Sequence, residues 1–428
     1  RLRRSGPPAR RGAFLRYDGS MTTTERRVAV TGIGLLCSLG TNREEVWKGL
    51  VEGRCGIGPL SLFEAEGYHS RLVAEIPDYH SERRFTALER RRLSRSDQIA
   101  VLATDEALQD SGVLEDPIDR SRVGLFFGSG TGDMLRNEQY FAALLTRGIE
   151  RAKPSYAFNH FTSTPADTVA ERYDLHGMKA CLLSACSSTT TAIGYAGDTI
   201  LDGRHDAVIC GGSDVLCRLT LSGFNALRLV APEPCRPFDV NRNGLNLGEA
   251  GAVLVLEELG RARRRGATIY AELAGYGLAC EAFHPTAPEP TGAAFAAMLE
   301  RALSAARTER DSVDHVNSHG TATIQNDRAE AAGIRRVFGE RSRTIPVNAI
   351  KSMVGHCLGA AGAIEAAALA LTISRGVVPP TVHHDQTDPE CALDIVANEA
   401  RELRVQCGVS ISLAFGGNDA ALVMRRYS

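Results

Sequence analysis

The chain has 428 residues, of which 43% are hydrophobic, and its formal net charge is −2. A chain of this length and composition can bury one large core or two ordinary ones, which excludes disorder as its main state. The arginine-rich residues 1–20 carry +5, so the remainder carries −7. The body of the protein therefore lacks the positive charge that is typical of nucleic-acid binding.

The first residues differ in character from the rest. Residues 1–20 begin without Met and lack the apolar run of a secretory signal, whereas Met21 resembles a natural start. We expect residues 1–26 to form a flexible N-terminal extension, with an organelle transit peptide as the alternative. The eleven cysteines show no paired spacing, which favours a reducing cytoplasm. No uninterrupted apolar run reaches the roughly 18 residues of a membrane span, so we expect none.

From Arg27 onward, runs rich in β-branched residues alternate with helical patterns, as in α/β proteins with buried sheets. The first strand is predicted at residues 27–34. A helix follows, with Asn42 as its cap and an end near Gly53. Further strands are predicted at residues 123–127, 207–210, 252–256, 268–273, 315–317, 347–350, 409–413 and 420–424.

Two predicted helices, residues 187–201 and 359–373, are small and apolar on nearly every side. Such helices lie between layers of structure rather than on a surface. Each follows a reactive residue type and precedes a segment with paired glycines, which indicates a duplicated α/β unit. We therefore predict halves at residues 27–262 and 263–428, stacked as five layers, α-β-α-β-α.

The glycine-rich turns do not match a nucleotide-binding fingerprint. Cys37 replaces the third glycine of GxGxxG after the first strand, and residues 128–132 have the spacing GxGxG. His315 and His319 lie four residues apart where a strand meets a turn, so helical metal-ligand geometry is not expected for them. Tight turns beside a pocket explain these features better.

Cys186 is the candidate nucleophile, in the sequence SACSSTTTA at the predicted start of a buried helix. A lone cysteine is more often an inert part of the core. The backbone N–H groups and dipole at a helix start, however, favour thiolate over thiol. The neighbouring small residues leave room for a substrate. We therefore predict a reactive thiolate at Cys186.

Two further segments carry reactive groups. A strand delivers His319 into a Gly-Thr turn, and the run KSMVGHCLGAAGAIE carries Lys351, His356 and Glu365 around the second buried helix. Each histidine alone could be a structural residue. Lys351 and Glu365 would each be costly to bury alone, so we expect hydrogen bonds to link them.

Several motifs in one order resemble the elongating β-ketoacyl-ACP synthases of the synthase II kind. They are SACSS, HGTAT, the KSMVGHCLGAAGA run and the FGG near the C-terminus, and the resemblance covers residues 27–428. It implies the thiolase fold and a dimer with its active sites near the interface. The partner subunit could be a second copy or a homologous ketosynthase-like chain.

The resemblance also implies a role for individual residues. Cys186 would be the acylated nucleophile, while His319 and His356 would activate a malonyl thioester with Lys351 and Glu365 as polar support. The reaction implied is decarboxylative Claisen condensation with malonyl-ACP, which gives a 3-ketoacyl-ACP and CO₂ without a metal or cofactor. The other implied contacts are Phe415 as a gate beside the thiol, Thr321 and Thr323 on the phosphopantetheine arm, and Thr131 in the acyl pocket.

Basic residues indicate where an acidic acyl carrier protein would dock. Arg90, Arg91 and Arg92 form a run, and Arg228 in GFNALRL matches a carrier-binding arginine of the family. A charge run is usually a solvated face. On an acidic protein that must bind an acidic carrier, such patches gain significance.

The fit to fatty-acid synthases is imperfect. Leu413 and Ala414 stand where those enzymes usually have Phe and Gly, and Ala322 lies inside HGTAT. These differences favour a specialised polyketide or polyene pathway over primary fatty acid synthesis. Two other functions stay open: a non-catalytic chain-length partner, which typically lacks the cysteine, and a degradative thiolase, which would need a second cysteine in the C-terminal glycine loop.

Overall fold

The structure is a computed structural model that describes residues 26–157 and 161–428. The α-helices of these residues are α1 (Arg43–Val51), α2 (Ser81–Arg84), α3 (Ala87–Arg92), α4 (Arg95–Ser111), α5 (Met134–Arg147), α6 (Pro154–Ala157), α7 (Thr164–Arg172), α8 (Ser188–Leu201), α9 (Arg218–Ala226), α10 (Leu259–Arg264), α11 (Ala293–Ala305), α12 (Ile324–Phe338), α13 (Lys351–Val354) and α14 (Ala361–Arg375). The strands are β1 (Val28–Cys37), β2 (Gly58–Pro59), β3 (Leu72–Val73), β4 (Val123–Gly128), β5 (Lys179–Leu182), β6 (Ala207–Asp214), β7 (Ala250–Glu258), β8 (Ala271–Cys280), β9 (His315–Asn317), β10 (Pro346–Asn348), β11 (Val377–Val378), β12 (Asp394–Ile395), β13 (Arg401–Glu402), β14 (Cys407–Ser412) and β15 (Asn418–Arg425). The predicted N-terminal extension lies outside the described residues except for Arg26.

One large sheet has the order β12-β10-β9-β14-β15-β8-β1-β7-β6-β4-β5. In one part, β5, β4 and β6 are parallel, and β6, β7 and β1 are antiparallel. In the other part, β10, β9 and β14 are parallel, and β14, β15 and β8 are antiparallel. The same five-strand topology therefore occurs twice, and this confirms the prediction of a duplicated unit. The two copies join where β1 pairs with β8 over three residue pairs.

Helices cover both copies and also fill the space between them. α4 and α7 pack on the outer face of the first copy, and α11 packs on β8 and β15 of the second, with α12 against α11. α8 contacts strands of both copies, as does α14. This arrangement is the predicted α-β-α-β-α stack.

The two central helices are buried because almost none of their residues is large or charged. In α14, every residue from Ala361 to Ile373 is buried. The segment Leu358–Arg375 is long and apolar enough to cross a membrane, but 89% of it is buried inside the protein. It is therefore the core helix between the two copies. All eleven cysteines are free thiols.

Several predicted strands have other bounds in the structure, and two of them show the physical reason. The strand predicted at residues 268–273 is β8, which starts at Ala271 and continues to Cys280. Its glycines hid the continuation: a Cβ at Gly277 would lie 2.3 Å from the carbonyl oxygen of Met298, so glycine is needed for α11 to pack closely. The strand predicted at residues 347–350 ends at Asn348, and the chain then turns into α13.

Candidate active site

Cys186 lies in a short 3-10 turn (Ala185–Ser187) between β5 and α8, and it is 6% exposed. The φ of Ala185 is 51°, in the left-handed region, and this tight turn places Cys186 directly before the first turn of α8. Burial raises the pKa of the Cys186 thiol to about 11, although the charge of Lys351 and the backbone N–H of Phe415 act in the opposite direction. The prediction of a thiolate at neutral pH is therefore wrong for this resting state. Desolvation by burial is the largest contribution to this raised pKa.

His356 contacts the sulfur in a defined tautomer. Its Nδ1 lies 3.2 Å from the backbone nitrogen of Leu358, and an N–H group can only donate. Burial and the charge of Lys351 hold the pKa of His356 well below its ordinary value, so the ring is neutral and carries its proton on Nε2. Nε2 lies 3.1 Å from Sγ of Cys186. His356 thus donates a hydrogen bond to the sulfur.

His319 adopts the same tautomer through a different partner. Nζ of Lys351, which donates only, lies 3.1 Å from Nδ1 of His319 and 2.7 Å from its carbonyl oxygen. Burial, with the charges of Lys351 and His356, holds the pKa of His319 well below its ordinary value. Its proton is therefore on Nε2 as well. The two imidazole rings lie 5.3 Å apart between centroids, with an interplanar angle of 88°.

Glu365 is the third partner of Lys351. The ammonium group donates a hydrogen bond to Oε1 of Glu365, and both side chains are at most 2% exposed. This confirms the predicted link between the two residues. Burial raises the pKa of Glu365 to about 7, while Lys351 acts in the opposite direction. Since Lys351 also holds His319, the three residues form one connected network.

Two carboxylates of α12 hold the loop that carries His319, and the sequence analysis missed both. Glu330 accepts hydrogen bonds from the backbone N–H groups of His319 at 2.6 Å and Gly320 at 2.8 Å. Asp327 accepts one from Ala322 at 3.2 Å. Burial raises the pKa of Glu330 to about 8 and that of Asp327 to about 6. The sequence did contain a signal for them, because Asp327 and Glu330 lie three residues apart on the helix that follows HGTAT.

A cavity of about 540 Å³ connects these groups with a wider lining of loop residues. Cys186, His319 and His356 all line it. Thr321 and Thr323 line it too, and their hydroxyl oxygens lie 2.9 Å apart. The structure therefore brings the predicted reactive groups and the predicted pantetheine contacts together around one space.

Phe415 lines the same cavity, as predicted for a residue beside the thiol. Its ring stacks on Phe224 of α9, with centroids 5.5 Å apart and an interplanar angle of 20°. Its backbone N–H points to the sulfur of Cys186. Phe224 was not singled out in the sequence, because one aromatic residue on a short helix carries no distinguishing spacing.

The comparisons with known proteins agree with this geometry. The sequence models described as the N-terminal and C-terminal domains of beta-ketoacyl synthase match residues 25–262 and 270–385. The tetracenomycin polyketide synthase ketoacyl synthase alpha subunit of Streptomyces glaucescens is 38% identical, over 94% of this chain and 97% of that protein. The 3-oxoacyl-[acyl-carrier-protein] synthase 2 of Coxiella burnetii is 35% identical, over 94% of this chain and 99% of that protein.

The chain belongs to the β-ketoacyl synthase family. Members of this family are condensing acyltransferases. Among solved structures, the ishigamide ketosynthase/chain length factor has a TM-score of 0.91 at 35% identity, covering 95% of this chain and 100% of that one. The fold is accordingly thiolase-like, as predicted.

Two features differ from the expected family pattern. Ala414 stands where the related enzymes usually have Gly, but it is not among the residues with positive φ, so alanine fits the observed loop without strain. Thr131 does not line the cavity that contains Cys186. Its backbone N–H and hydroxyl face the buried carboxylate of Asp214, at 3.0 Å and 3.5 Å. Its place in an acyl pocket stays a prediction.

The four arginines predicted to bind a carrier occupy different environments. Arg228 is exposed and lines the cavity. Arg91 and Arg92 are exposed at the end of α3, whereas Arg90 is half-buried and donates to the carbonyl oxygen of Phe85 at 2.7 Å. Arg90 therefore has a structural partner, and the exposed three are better placed for docking.

Metal binding is not suggested by the cavity. In the described part of the chain, one group of three side chains could hold a metal ion; it is exposed and comprises Asp78, His80 and Glu82. None of the three lines the cavity. That the reaction needs no metal or cofactor stays a prediction.

Proposed function

We propose that this chain is an elongating ketosynthase, which condenses an acyl group on Cys186 with malonyl-ACP to give a 3-ketoacyl-ACP and CO₂. One observation carries the proposal: two neutral histidines, both with the proton on Nε2, stand beside a buried cysteine in one cavity. Two such donors can stabilise the enolate oxygen that develops when a malonyl group loses CO₂.

The first half-reaction is thioester exchange at Cys186. The sulfur attacks the acyl carbonyl, the bond to the carrier sulfur breaks, and the thiol proton leaves with the released carrier thiol. The Nε2–H of His356 and the backbone N–H of Phe415 face the sulfur, so both favour the attacking thiolate. Because Cys186 has a raised pKa at rest, this support matters more than the helix start alone.

The second half-reaction uses the two histidines. Malonyl-ACP loses its carboxylate as CO₂, and the electron pair of the broken C–C bond forms an enolate. Nε2–H groups of His319 and His356 would hold the enolate oxygen. The enolate carbon then attacks the acyl group on Cys186, whose sulfur leaves and regains a proton. Backbone N–H groups of Cys186 and Phe415 would hold the oxyanion of that step.

An acyl carrier protein is the proposed partner, and a homodimer or a heterodimer with a homologous subunit is the proposed assembly. Similar solved structures include a ketosynthase with its acyl carrier protein and a ketosynthase with its chain length factor. The similar sequences include both polyketide and 3-oxoacyl-ACP synthases, so the pathway is fatty acid or specialised polyketide synthesis. A cytoplasmic location stays a prediction. Cys186, with two histidines beside it, argues against a non-catalytic chain-length subunit.

The test separates the two half-reactions. Cys186→Gln should abolish condensation and retain CO₂ release from malonyl-ACP, since both histidine donors remain. His356→Ala should lose CO₂ release by on the order of 10² or more. Labelled CO₂ and intact-protein mass would be measured on both variants. A folded Cys186→Gln protein that releases no CO₂, or a His356→Ala protein that decarboxylates at the wild-type rate, would contradict the proposal.

A further inference from the structure

Two carboxyl groups outside the catalytic network lie together on the wall of the cavity. Asp419 is 2% exposed, and neither of its oxygens accepts a hydrogen bond of ordinary geometry within the described residues. Its neighbour is the carboxyl group of Glu281, with which it interacts directly. Both residues line the cavity that contains Cys186. Asp419 is buried and Glu281 is half-buried, so two negative charges side by side are unfavourable there, and one proton held between the two carboxyl groups relieves the repulsion.

The acid pair (Glu281 and Asp419) joins two loops. Asp419 lies two residues after the end of residues 413–417, the Phe415 loop, and Glu281 begins residues 281–289, the facing segment. Two backbone hydrogen bonds also cross between them: the N–H of Gly416 donates to Pro285 at 2.8 Å, and that of Glu281 to Gly417 at 2.9 Å. The facing segment is itself tied to the pair, since Oε2 of Glu281 accepts a hydrogen bond from the N–H of Glu289 at 3.1 Å.

The position of the Phe415 loop matters for the reaction at Cys186. In the observed state, the Phe415 ring stacks on Phe224 and its N–H points to the sulfur of Cys186. This N–H would also hold the oxyanion of the condensation step. The stacked ring lines the cavity that contains Cys186, so an acyl arm that displaces this ring would require the loop to open.

We propose that Glu281 and Asp419 share one proton that holds the Phe415 loop closed against the facing segment, and that loss of this proton releases the loop. The pair is thus a positioning device for Phe415, and this role rests on the proposed ketosynthase function. Opening lets water reach both carboxyl groups, so the proton leaves as the loop opens. Entry of the acyl arm is therefore coupled to proton release.

The direction of the pH effect follows from linkage. Burial and the charge of Glu281 raise the pKa of Asp419 from its ordinary value of 3.8 to about 8, although the backbone N–H of Ala414 acts the other way. The closed state therefore binds one more proton than the open state between these two values. The opening equilibrium should rise about tenfold per pH unit up to about pH 8 and level off above it.

Other titratable or charged groups face the acid pair from the surrounding elements. Glu330 of α12 raises the pKa of Asp419 further, and Glu289 acts on Glu281 from the end of the facing segment. His284 and Arg228 line the same cavity. Because the pKa of Glu330 is also raised to about 8, a transition near pH 8 alone would not identify the pair. Variants at the pair itself are required.

The experiment is hydrogen–deuterium exchange of the intact protein between pH 5.5 and 9, corrected for the intrinsic pH dependence of exchange. In the wild-type protein, protection of residues 413–417 should fall about tenfold per unit to pH 8. Asp419→Asn and Glu281→Gln each replace the shared proton by an amide N–H that does not titrate. Both should keep the loop protected at every pH, whereas Glu340→Gln, at an exposed site, should behave as the wild type.

Every outcome of the exchange experiment either supports or overturns the proposal. A wild-type protein without the pH-dependent loss, or variants that keep it unchanged, would overturn the proposal, and the latter outcome would point to Glu330. The measurement requires no turnover, so it can succeed or fail independently of the ketosynthase assignment. A readout of turnover adds a second check: wild-type kcat/KM for acyl-ACP should change with pH, and Asp419→Asn should flatten that profile below pH 8.

Discussion

Lys351 fixes the tautomer of His319, so Lys351→Met should impair decarboxylation although Lys351 does not reach the substrate. Without Lys351, the neutral His319 can hold its proton on either nitrogen. The carbonyl oxygen of His319 also loses its hydrogen bond from Nζ of Lys351, which is 2.7 Å long in the structure. Equal tautomer populations alone would halve the rate, whereas loss of one oxyanion donor costs about 10²–10³. Because the loop also loses its anchor, we expect about a 10²-fold loss of CO₂ release.

The free energy of unfolding of Lys351→Met gives a second readout, which is separate from its catalytic loss. Removing one partner of a buried ion pair costs about 3–5 kcal/mol if the other stays charged. Glu365 can instead take up a proton, because its pKa is already raised to about 7 and would rise further without Lys351. An acid with a raised pKa in the folded state loses stability as pH rises through the interval between its unfolded and folded pKa values. The deficit of the variant should therefore grow above pH 7.

The assay combines urea unfolding at pH 6 and 8, labelled CO₂ release, and ¹⁵N spectra of labelled histidine, which distinguish the tautomers. The double variant Lys351→Met/Glu365→Met removes the unpaired carboxyl and should regain stability without regaining CO₂ release. If Lys351→Met decarboxylates at the wild-type rate, or if His319 keeps a single Nε2–H tautomer in that variant, the role assigned to Lys351 is refuted.

Two other predictions concern the nucleophile and the docking surface. Alkylation of Cys186 by iodoacetamide should accelerate about tenfold per pH unit between pH 7 and 10, because the thiolate fraction grows up to a pKa of about 11. Peptide mass spectrometry measures the rate, and a rate independent of pH would contradict the raised pKa. Charge reversal at Arg91 or Arg228 should raise the KM for carrier-bound substrates and spare short pantetheine thioesters. Equal losses for both substrate types would mean that these arginines support the fold or the chemistry.

The structure brings together in one cavity the reactive residues that the sequence singled out, and these residues occur in short motifs at turns. Cys186 and His356 lie shortly before the buried helices α8 and α14, and His319 lies two residues after β9. Local sequence decides such positions. The link between Lys351 and Glu365 could also be predicted, since a buried charge requires a partner. These inferences need only the identity of a residue and the burial that its surrounding sequence predicts.

The carboxyl groups around the cavity were beyond sequence reasoning. Glu330, Asp327 and Asp419 look like ordinary polar residues in the chain, and only packing shows that they are buried. Burial that only packing shows also reversed the expectation of a thiolate at Cys186. A helix start can be read from sequence, but the desolvation that opposes it depends on strands and loops hundreds of residues away.

The repeated topology explains why the reactive groups converge. Cys186 lies between β5 and α8, and His356 lies between β10 and α14, so the two residues occupy equivalent positions in the two copies. His319 follows β9 in the second copy, and the glycine-rich residues 128–132 lie at the equivalent place in the first copy, at the end of β4. Because α8 and α14 pack together between the copies, the starts of both helices meet at one place. The duplicated fold therefore creates the site by symmetry, and sequence divergence assigned the thiol to one copy and both proton donors to the other.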